Sequence, residues 1–462
     1  MRARTLPRDD DRCGWFRTDG GDRPGAGPEP DRTPFPPLAG AQRADAVVVG
    51  AGLTGLAAAR RLAEVSARSS APTSAEPRIV VLEAQRAGYG ASGRSSGFVV
   101  DIAYFTTVMD PPTAERHIRL SRRGIDTLRR LVAEHGIECA WDETGWIHAA
   151  AGDGGLRDLA TLADWLDARG EAYEDLDPDG MERVTGTPFY RRGLRLPGRP
   201  LLQPAALLRG LTAALPGGVE LHERSPVRAI GRAGGAWRVE TGAGSVTAPR
   251  VLLAVNGYSP ALGALRRRIF PLITFGSFTR PLTAEERRAL GGDPEWGLLA
   301  QDPLGSSLRR TRDHRLLVRN TLHYSRDLEV GPAIRERARE AHRRALARRW
   351  PELFGGDGGG EVGGIGLEDT WAGVMGASPS RRHLFERLDD GLYAAAGFTG
   401  AGIAMGTVAG ELLAEWSAGV DSEWLRDMRS LPGPGRTPPE PFLSLGIRWK
   451  VARMNAAAQE YL

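Results

Sequence analysis

The sequence predicts an α/β chain in which a parallel-sheet domain is interleaved with a second domain. Three observations predict it. The stretch VVVGAGLTGLAAARRLAE, Val47–Glu64, reads as a strand, a glycine turn and a helix. RIVVLEA, Arg78–Ala84, has the continuous apolar run of a strand buried on both faces and closes a βαβ unit. Strand-like pieces then recur near the far end of the chain, so the first domain is assembled from separated segments around an insertion.

Taken in order, residues 1–40 are rich in Pro, Gly, Arg and Asp, and most of that arm reads as irregular. The first strand is Ala46–Val49. A helix runs from Leu53 to about Val65, and the polar loop ARSSAPTSAEP leads to the second strand. Ala114–His135 carries an arginine-rich amphipathic helix, and GWIHAA, Gly145–Ala150, reads as a strand. A helix begins near Pro204, since proline suits a first helical position. GVELHERSPVRAI is strand-like, and WRVETGAGSVTAPRVLLAVNG reads as a hairpin leading into a buried strand, Val251–Val255. The middle that follows is less regular. Ile334–Trp350 alternates its charges in sign, as a helix with a solvated face does. Tyr393–Gly410 is uncharged for about the length of a membrane span, but its glycine and alanine content reads as a buried strand, loop and helix.

A chain of 462 residues with 41% hydrophobic and 26% charged residues is long enough for two domains with sizeable cores. A formal net charge of +4 points to neither nucleic acid nor a membrane surface as a partner. Nearly every cation is arginine; the one lysine is Lys450. Cys13 and Cys139 make neither a disulfide framework nor a zinc site and fit a reducing compartment. The residues after Met1 are charged where a secretory signal needs an apolar core, so the expected location is cytoplasmic. The 8 histidines have no close acidic or cysteine partners, and no metal site is expected.

Gly50, Gly52 and Gly55 give the spacing G-x-G-x-x-G. The first makes the tight turn, the second lets backbone approach a pyrophosphate, and the third lets the helix lie close on the strand. Helix-start N–H groups then face the phosphates. Glu83, at the end of the next strand, is placed for ribose hydroxyls. It lies 28 positions beyond Gly55, and the polar loop accounts for the excess over the usual spacing of about 20. The loop RAGYGASGRSSGFVVD, Arg86–Asp101, selects between dinucleotides. NAD has no need of such a loop there, whereas FAD is longer and needs polar groups along its pyrophosphate and ribityl chain. The reading is FAD.

These residues resemble the D-amino-acid oxidase superfamily of FAD-dependent amine oxidoreductases, in its γ-glutamylputrescine oxidase-like branch. WFRTDG, the fingerprint around Gly50, VLEAQRAGYGASGRSSG, QPAALLRGL, ERSPVRAI, VLLAVNGYSP and GLYAAAGFTGAGIAMGTVAGELLAEW carry the likeness over most of the chain. The resemblance implies a Rossmann-like FAD-binding domain (41–105, 200–262 and 362–420) interleaved with an antiparallel-sheet substrate domain (106–199 and 263–361), plus a C-terminal tail, 421–462. It implies non-covalent FAD held by Gly50, Gly52, Leu53, Thr54, Gly55, Glu83 and Ala84. Ser92, Gly93 and Arg94 would lie near the pyrophosphate and ribityl chain, and Val227 would hold the adenine by its backbone. Gly400, Ala401, Gly402 and Ile403 would offer N–H groups to the flavin edge, where a helix start stabilises negative charge. The implied chemistry is hydride transfer from a C–N carbon of an amine or amino-acid-like substrate, hydrolysis of the imine, and passage of electrons to O2 or another acceptor.

Two departures bear on mechanism. Relatives that oxidise amino acids place an arginine in a Trp-x-Gly-x-Arg-Pro run, where this chain has Met375 in TWAGVMGASPSRRH. A methionine cannot pair a carboxylate, so an amine, or a molecule whose carboxylate is far from the reacting carbon, is favoured. Arg309, Arg310 and Arg319 are the alternative anchors. Ala401 stands where relatives often carry histidine, and Lys450 is remote in sequence from any flavin motif. An oxidase and a dehydrogenase are both open. The pocket candidates are His148, Tyr258, His323, Tyr324, Trp371 and Met375, with no catalytic residue assigned. Two further readings are an NAD(P)H-dependent flavin hydroxylase, whose usual Gly-Asp-Ala aspartate AAGFTGAGIAMG lacks, and a non-catalytic flavin-binding protein.

Overall fold

Short apolar strands stack into a six-stranded sheet in the order Leu384–Asp389, Leu392–Ala396, Val251–Leu253, Ala46–Val49, Ile79–Leu82 and Val219–His222. All neighbours are parallel except the pair at the Leu384–Asp389 edge. Ala46–Val49 and Ile79–Leu82 are buried at every position, each Val or Leu side chain contributing about 1.5–3 kcal/mol. The computed structural model describes residues 1–7, 12–18, 35–69, 76–103, 106–302, 305–355 and 364–458.

One face of this sheet is covered by the helices Leu53–Ser69, Pro111–Glu134 and Ala404–Ser417. The first and last of these touch backbone to backbone: a Cβ on Gly410 would stand 2.1 Å from the Thr54 carbonyl oxygen. The uncharged Tyr393–Gly410 stretch is thus a buried strand, turn and helix start. Among the described residues no helix is long and apolar enough to cross a membrane. The other face carries the strands Ala229–Ala233, Ala236–Glu240 and Gly244–Ala248, with Gly40–Arg43 parallel at their edge.

The larger sheet has eight strands in the order Leu367–Ala377, Phe270–Thr279, Leu316–His323, Ser307–Arg310, Trp296–Ala300, Trp146–Ala150, Arg192–Leu196 and Glu174–Leu176. Its pairs are antiparallel except Trp296–Ala300 with Trp146–Ala150. Pro332–Arg349 packs behind it through Ala338, Ala341, Ala345 and Leu346. That helix therefore has a buried side as well as the solvated one its charges predict.

Several segments sit elsewhere than the sequence reading puts them. The less regular middle holds four strands, whose alternation is broken by arginines that the fold buries, Arg309 and Arg310. Leu367–Ala377, grouped with the FAD-binding segments, pairs along its length with Phe270–Thr279 in the larger sheet. Pro111–Glu134, grouped with the substrate segments, buries Leu120, Ile125, Leu128 and Leu131 in the core under the parallel sheet. The C-terminal tail forms the helix Phe442–Ala458. Of the arm, residues 8–11 and 19–34 lie outside the described residues, as does 70–75 of the polar loop. Its remaining parts are anchored. Trp15 is buried and donates through Nε1 to the Ser95 carbonyl at 2.7 Å.

Candidate active site

The glycine turn shows why the sequence needs its spacing. Gly50 has φ +103°, and a Cβ there would meet the Ala254 carbonyl oxygen at 2.9 Å. A Cβ on Gly52 would meet Ser92 Oγ at 2.8 Å, and one on Gly55 would sit 1.8 Å from the Gly50 carbonyl oxygen. Gly50 and Gly52 line a cavity of about 1250 Å³; Gly55 does not, because its part is to press the helix onto the turn. Ser92 Oγ accepts from the Leu53 N–H at 3.1 Å, so the serine loop is fastened to the helix start.

Glu83 lies in the same wall. Its carboxylate accepts from the Ala51 N–H at 2.8 Å and the Gln85 N–H at 3.0 Å, and burial raises its pKa despite these bonds. Ala84 and Val227 line the cavity beside it. The sequence reading missed what closes this end. Ala3, Thr5, Leu6 and Pro7 also line the cavity. Ala3 N–H donates to the Arg228 carbonyl and Arg4 N–H to the Ala261 carbonyl, both at 2.8 Å. Gln85 Nε2 donates to the Pro7 carbonyl at 2.8 Å. A strap thus crosses beside Glu83 and Val227. Nothing in MRARTLP signals it, since its bonds are all to backbone or from a residue far along the chain.

At the other end, Gly400, Ala401, Gly402 and Ile403 open onto the same cavity. They precede Ala404–Ser417, whose Gly406 and Thr407 N–H groups donate back to the Gly402 and Ile403 carbonyls at 3.1 and 3.3 Å, so the N–H groups a helix start leaves for a ligand are those ahead of Gly406. Ala401 differs from expectation, because its N–H already donates to the Phe398 carbonyl at 3.0 Å within the turn. Leu53 and Thr54 begin the other helix on the same wall. Two helix N-termini therefore converge on one cavity and give it two places that favour negative charge.

A single family model, described as FAD dependent oxidoreductase (DAO), matches residues 45–416. The chain belongs to this DAO family of FAD-dependent oxidoreductases. It is similar to the Probable oxidoreductase OrdL of Haemophilus influenzae, 26% identical over 401 residues that cover 84% of this chain and 86% of that protein. It is also similar to the Gamma-glutamylputrescine oxidoreductase of Escherichia coli, 28% identical over 434 residues that cover 90% of this chain and 94% of that one. Among solved structures, glycine oxidase from Geobacillus kaustophilus shares the fold with a TM-score of 0.68 at 20% identity. That match covers 83% of this chain and 96% of that one.

The family's cofactor is FAD, and the cavity fits it. Its glycine turn runs too close to Ala254 at Gly50 and to Ser92 at Gly52 for a Cβ, the serine loop is tied to the first helix start, and both helix starts line the cavity. Gly93 does not reach the cavity; it packs against Gly88 in the loop's own turn. Arg94 does, and is buried, donating from Nε to the Tyr89 carbonyl at 2.9 Å with its guanidinium 4.3 Å from the Tyr89 ring centre. Cys139 is buried away from the cavity, and burial pushes its thiol up to about 11, so it is not a nucleophile for attachment.

Of the pocket candidates, His148, Tyr258, Trp371 and Met375 line the cavity. Burial holds the His148 imidazole down to about 3, and its Nδ1 pairs with the Gln301 side chain. Trp371 Nε1 donates to the Arg94 carbonyl at 3.1 Å, joining the large sheet to the serine loop. His323 and Tyr324 lie outside the cavity wall, and a bulge is the reason. Phe275 pairs with Asn320 and Thr274 with Leu322, so Thr321, at φ +60°, is the extra residue. Beyond it the faces exchange, and Leu322 takes the cavity side that an unbroken strand would give His323. Tyr324 instead meets Ser444 Oγ at 3.2 Å beneath the C-terminal helix. Of the three arginines, Arg309 donates to the Leu202 carbonyl at 2.6 Å in the core, and Arg310 to the Gly291 carbonyl at 2.6 Å. Only Arg319 of the three lines the cavity. Lys450, remote in sequence, is at its exposed edge.

Proposed function

We propose that the chain oxidises a C–N bond of an amine or amino-acid-like substrate and passes the electrons to O2 or another acceptor. Bound FAD would supply a two-electron hydride acceptor for the substrate carbon, the resulting imine being hydrolysed by water. Gly50, Gly52, Leu53 and Thr54 would bind the pyrophosphate, with Ser92 and Arg94 beside it, Glu83 and Ala84 would take the adenosine ribose, and Val227 would border the adenine. The amides around Gly402 and Ile403 would hold the flavin edge, and Tyr258, Trp371 and Met375 of the facing wall would border the substrate. One observation carries this reading: the glycine turn, the Gly400–Ile403 turn and one face of the large sheet open onto the same cavity. The relatives' printed names, oxidoreductases with γ-glutamylputrescine among their substrates, support the C–N bond as target. Two buried cysteines that form no disulfide suit a reducing cytoplasm as the place of work.

The test is anaerobic. Holoenzyme is mixed with a panel of amines, N-methyl compounds and amino acids, and flavin absorbance is followed before and after air is admitted. Bleaching by some members is expected, and the rate of recovery in air separates oxidase from dehydrogenase. A flavin that no member reduces would refute the proposal. Rapid reduction by NADPH instead would favour a hydroxylase.

A further inference from the structure

The C-terminal helix Phe442–Ala458 is apolar on two sides, and only one of them is covered. On the inner side Ile447, Val451 and Met454 join Leu322 and Tyr324 in a small core. Asn455 fastens that side, accepting from the Leu322 N–H at 3.0 Å and donating to the Leu322 carbonyl at 2.7 Å. Phe442, Leu445 and Trp449 face away from it and are 67%, 60% and 65% exposed. Spaced by three and four, with the exposed Ala452 and Ala456 beyond them, they form one stripe along the helix. Among the described residues the other large apolar side chain so exposed is Val108, which lines the same cavity as Trp449. Single exposed apolar side chains are ordinary, whereas a run of them on one helix marks a contact surface.

The charges beside the stripe have one sign. Phe442–Ala458 contains Arg448, Lys450 and Arg453 and no acid, and all three cations are exposed. At 100° per residue Arg448 stands on one flank of the stripe and Arg453 and Lys450 on the other. The Arg453 guanidinium lies 5.6 Å from the Trp449 ring centre. Glu440, just before the helix, accepts from the Ser444 N–H at 3.2 Å. Burial, then the charges of Arg337 and Arg448, lowers the His323 pKa, so the positive field continues onto the helix Pro332–Arg349. A net charge of +4 over the whole chain does not register so local a concentration.

We propose that the stripe Phe442, Leu445 and Trp449 lies in the surface of a lipid bilayer carrying anionic headgroups, with Arg448, Lys450 and Arg453 on the phosphates. A helix parallel to a membrane has this composition, with aromatic and aliphatic side chains in the headgroup boundary and cations on its flanks. A second copy of the chain fits less well. Two such stripes packed together would bring Arg448 and Arg453 against the same cations of the other helix, with no acid on either to pair them. Because Trp449 also lines the cavity, docking sets the cavity mouth at the lipid surface.

The test is co-sedimentation of full-length holoenzyme with vesicles of phosphatidylcholine mixed with phosphatidylglycerol, beside vesicles of phosphatidylcholine alone. Binding to the mixed vesicles is expected to be roughly 10- to 100-fold tighter than to the neutral ones and to weaken with added salt. Phe442→Ser combined with Leu445→Ser is expected to weaken it by roughly tenfold or more. Both residues are exposed and neither lines the cavity, so flavin content and unfolding temperature are expected to match the wild type. Arg448→Glu is expected to weaken binding to the mixed vesicles by roughly 10- to 30-fold and to leave the neutral ones unaffected. Wild-type protein that sediments with neither vesicle would overturn the proposal. So would binding that the double variant keeps in full, since it would then come from charge elsewhere. Dimerisation that the double variant abolishes, without vesicle binding by the wild type, would give the stripe to a second copy instead.

Discussion

Gly55→Ala is the sharpest perturbation of the cofactor site, because the close approach there is backbone to backbone and has no flexible side chain to yield. The added Cβ would stand 1.8 Å from the Gly50 carbonyl oxygen and 2.9 Å from its carbon. Ordinary C···O contact is about 3.3 Å, so the turn and helix must part by about 1.5 Å. A shift of that size carries the Leu53 N–H to Ser92 Oγ bond, now 3.1 Å, and the Ala51 N–H to Glu83 bond, now 2.8 Å, out of range. Overpacking costs about 1–3 kcal/mol and each lost bond about 1 kcal/mol, for a total of about 3–5 kcal/mol. If about 3 kcal/mol of that falls on the cofactor-binding conformation, FAD affinity drops roughly a hundredfold. The assay is FAD titration of apoprotein by fluorescence quenching, with flavin content as purified and thermal unfolding alongside. Gly231→Ala, where a Cβ meets nothing within 4 Å, is the control and is expected to change neither. A Gly55→Ala protein that binds FAD like wild type and unfolds at the same temperature would refute the close-packing argument.

Deleting residues 2–7 removes the strap beside Glu83 and Val227. FAD release, followed by the return of free-flavin fluorescence, is expected to quicken by roughly tenfold, the worth of about one or two net hydrogen bonds; an unchanged rate counts against the strap. Asp101→Asn removes one of the two carboxylate partners of Arg199, whose side chain is 9% exposed, leaving Glu171 at 3.0 Å, and is expected to cost about 1.5–3 kcal/mol in denaturant unfolding at pH 7. In the wild type Arg199 and Arg122 draw the Asp101 carboxyl below its unfolded value of 3.8. Stability from this cluster is therefore complete above that value and lost only as pH falls beneath it. An acid-unfolding midpoint that Asp101→Asn does not move would contradict this. His148, held neutral by burial down to about 3, is expected to contribute no step to the rate of flavin reduction between pH 5 and 9; an imidazole step that disappears in His148→Asn would show the site to be wet.

The sequence by itself determined the dinucleotide half of the protein. Its signals are local: a buried strand announces itself as an apolar run, and G-x-G-x-x-G fixes a turn within six residues. The uncharged, glycine- and alanine-rich stretch Tyr393–Gly410 announces a buried strand, loop and helix, and Gly410 in that helix lies against the Thr54 backbone. The helix Pro111–Glu134 and the hairpin Ala236–Ala248 were legible for the same reason. What only the tertiary structure decided is the wall facing the cofactor. Whether His323 or Leu322 reaches the cavity depends on one extra residue at Thr321, and a bulge of that kind leaves no mark in composition. Which of Arg309, Arg310 and Arg319 faces the site depends on strand parity and on carbonyls contributed by Leu202 and Gly291, distant in sequence. The strap over 1–7 and the placement of Lys450 likewise depend on contacts hundreds of residues apart. Local propensity can specify an element, but a site assembled from register and long-range closure exists only once the sheets are paired.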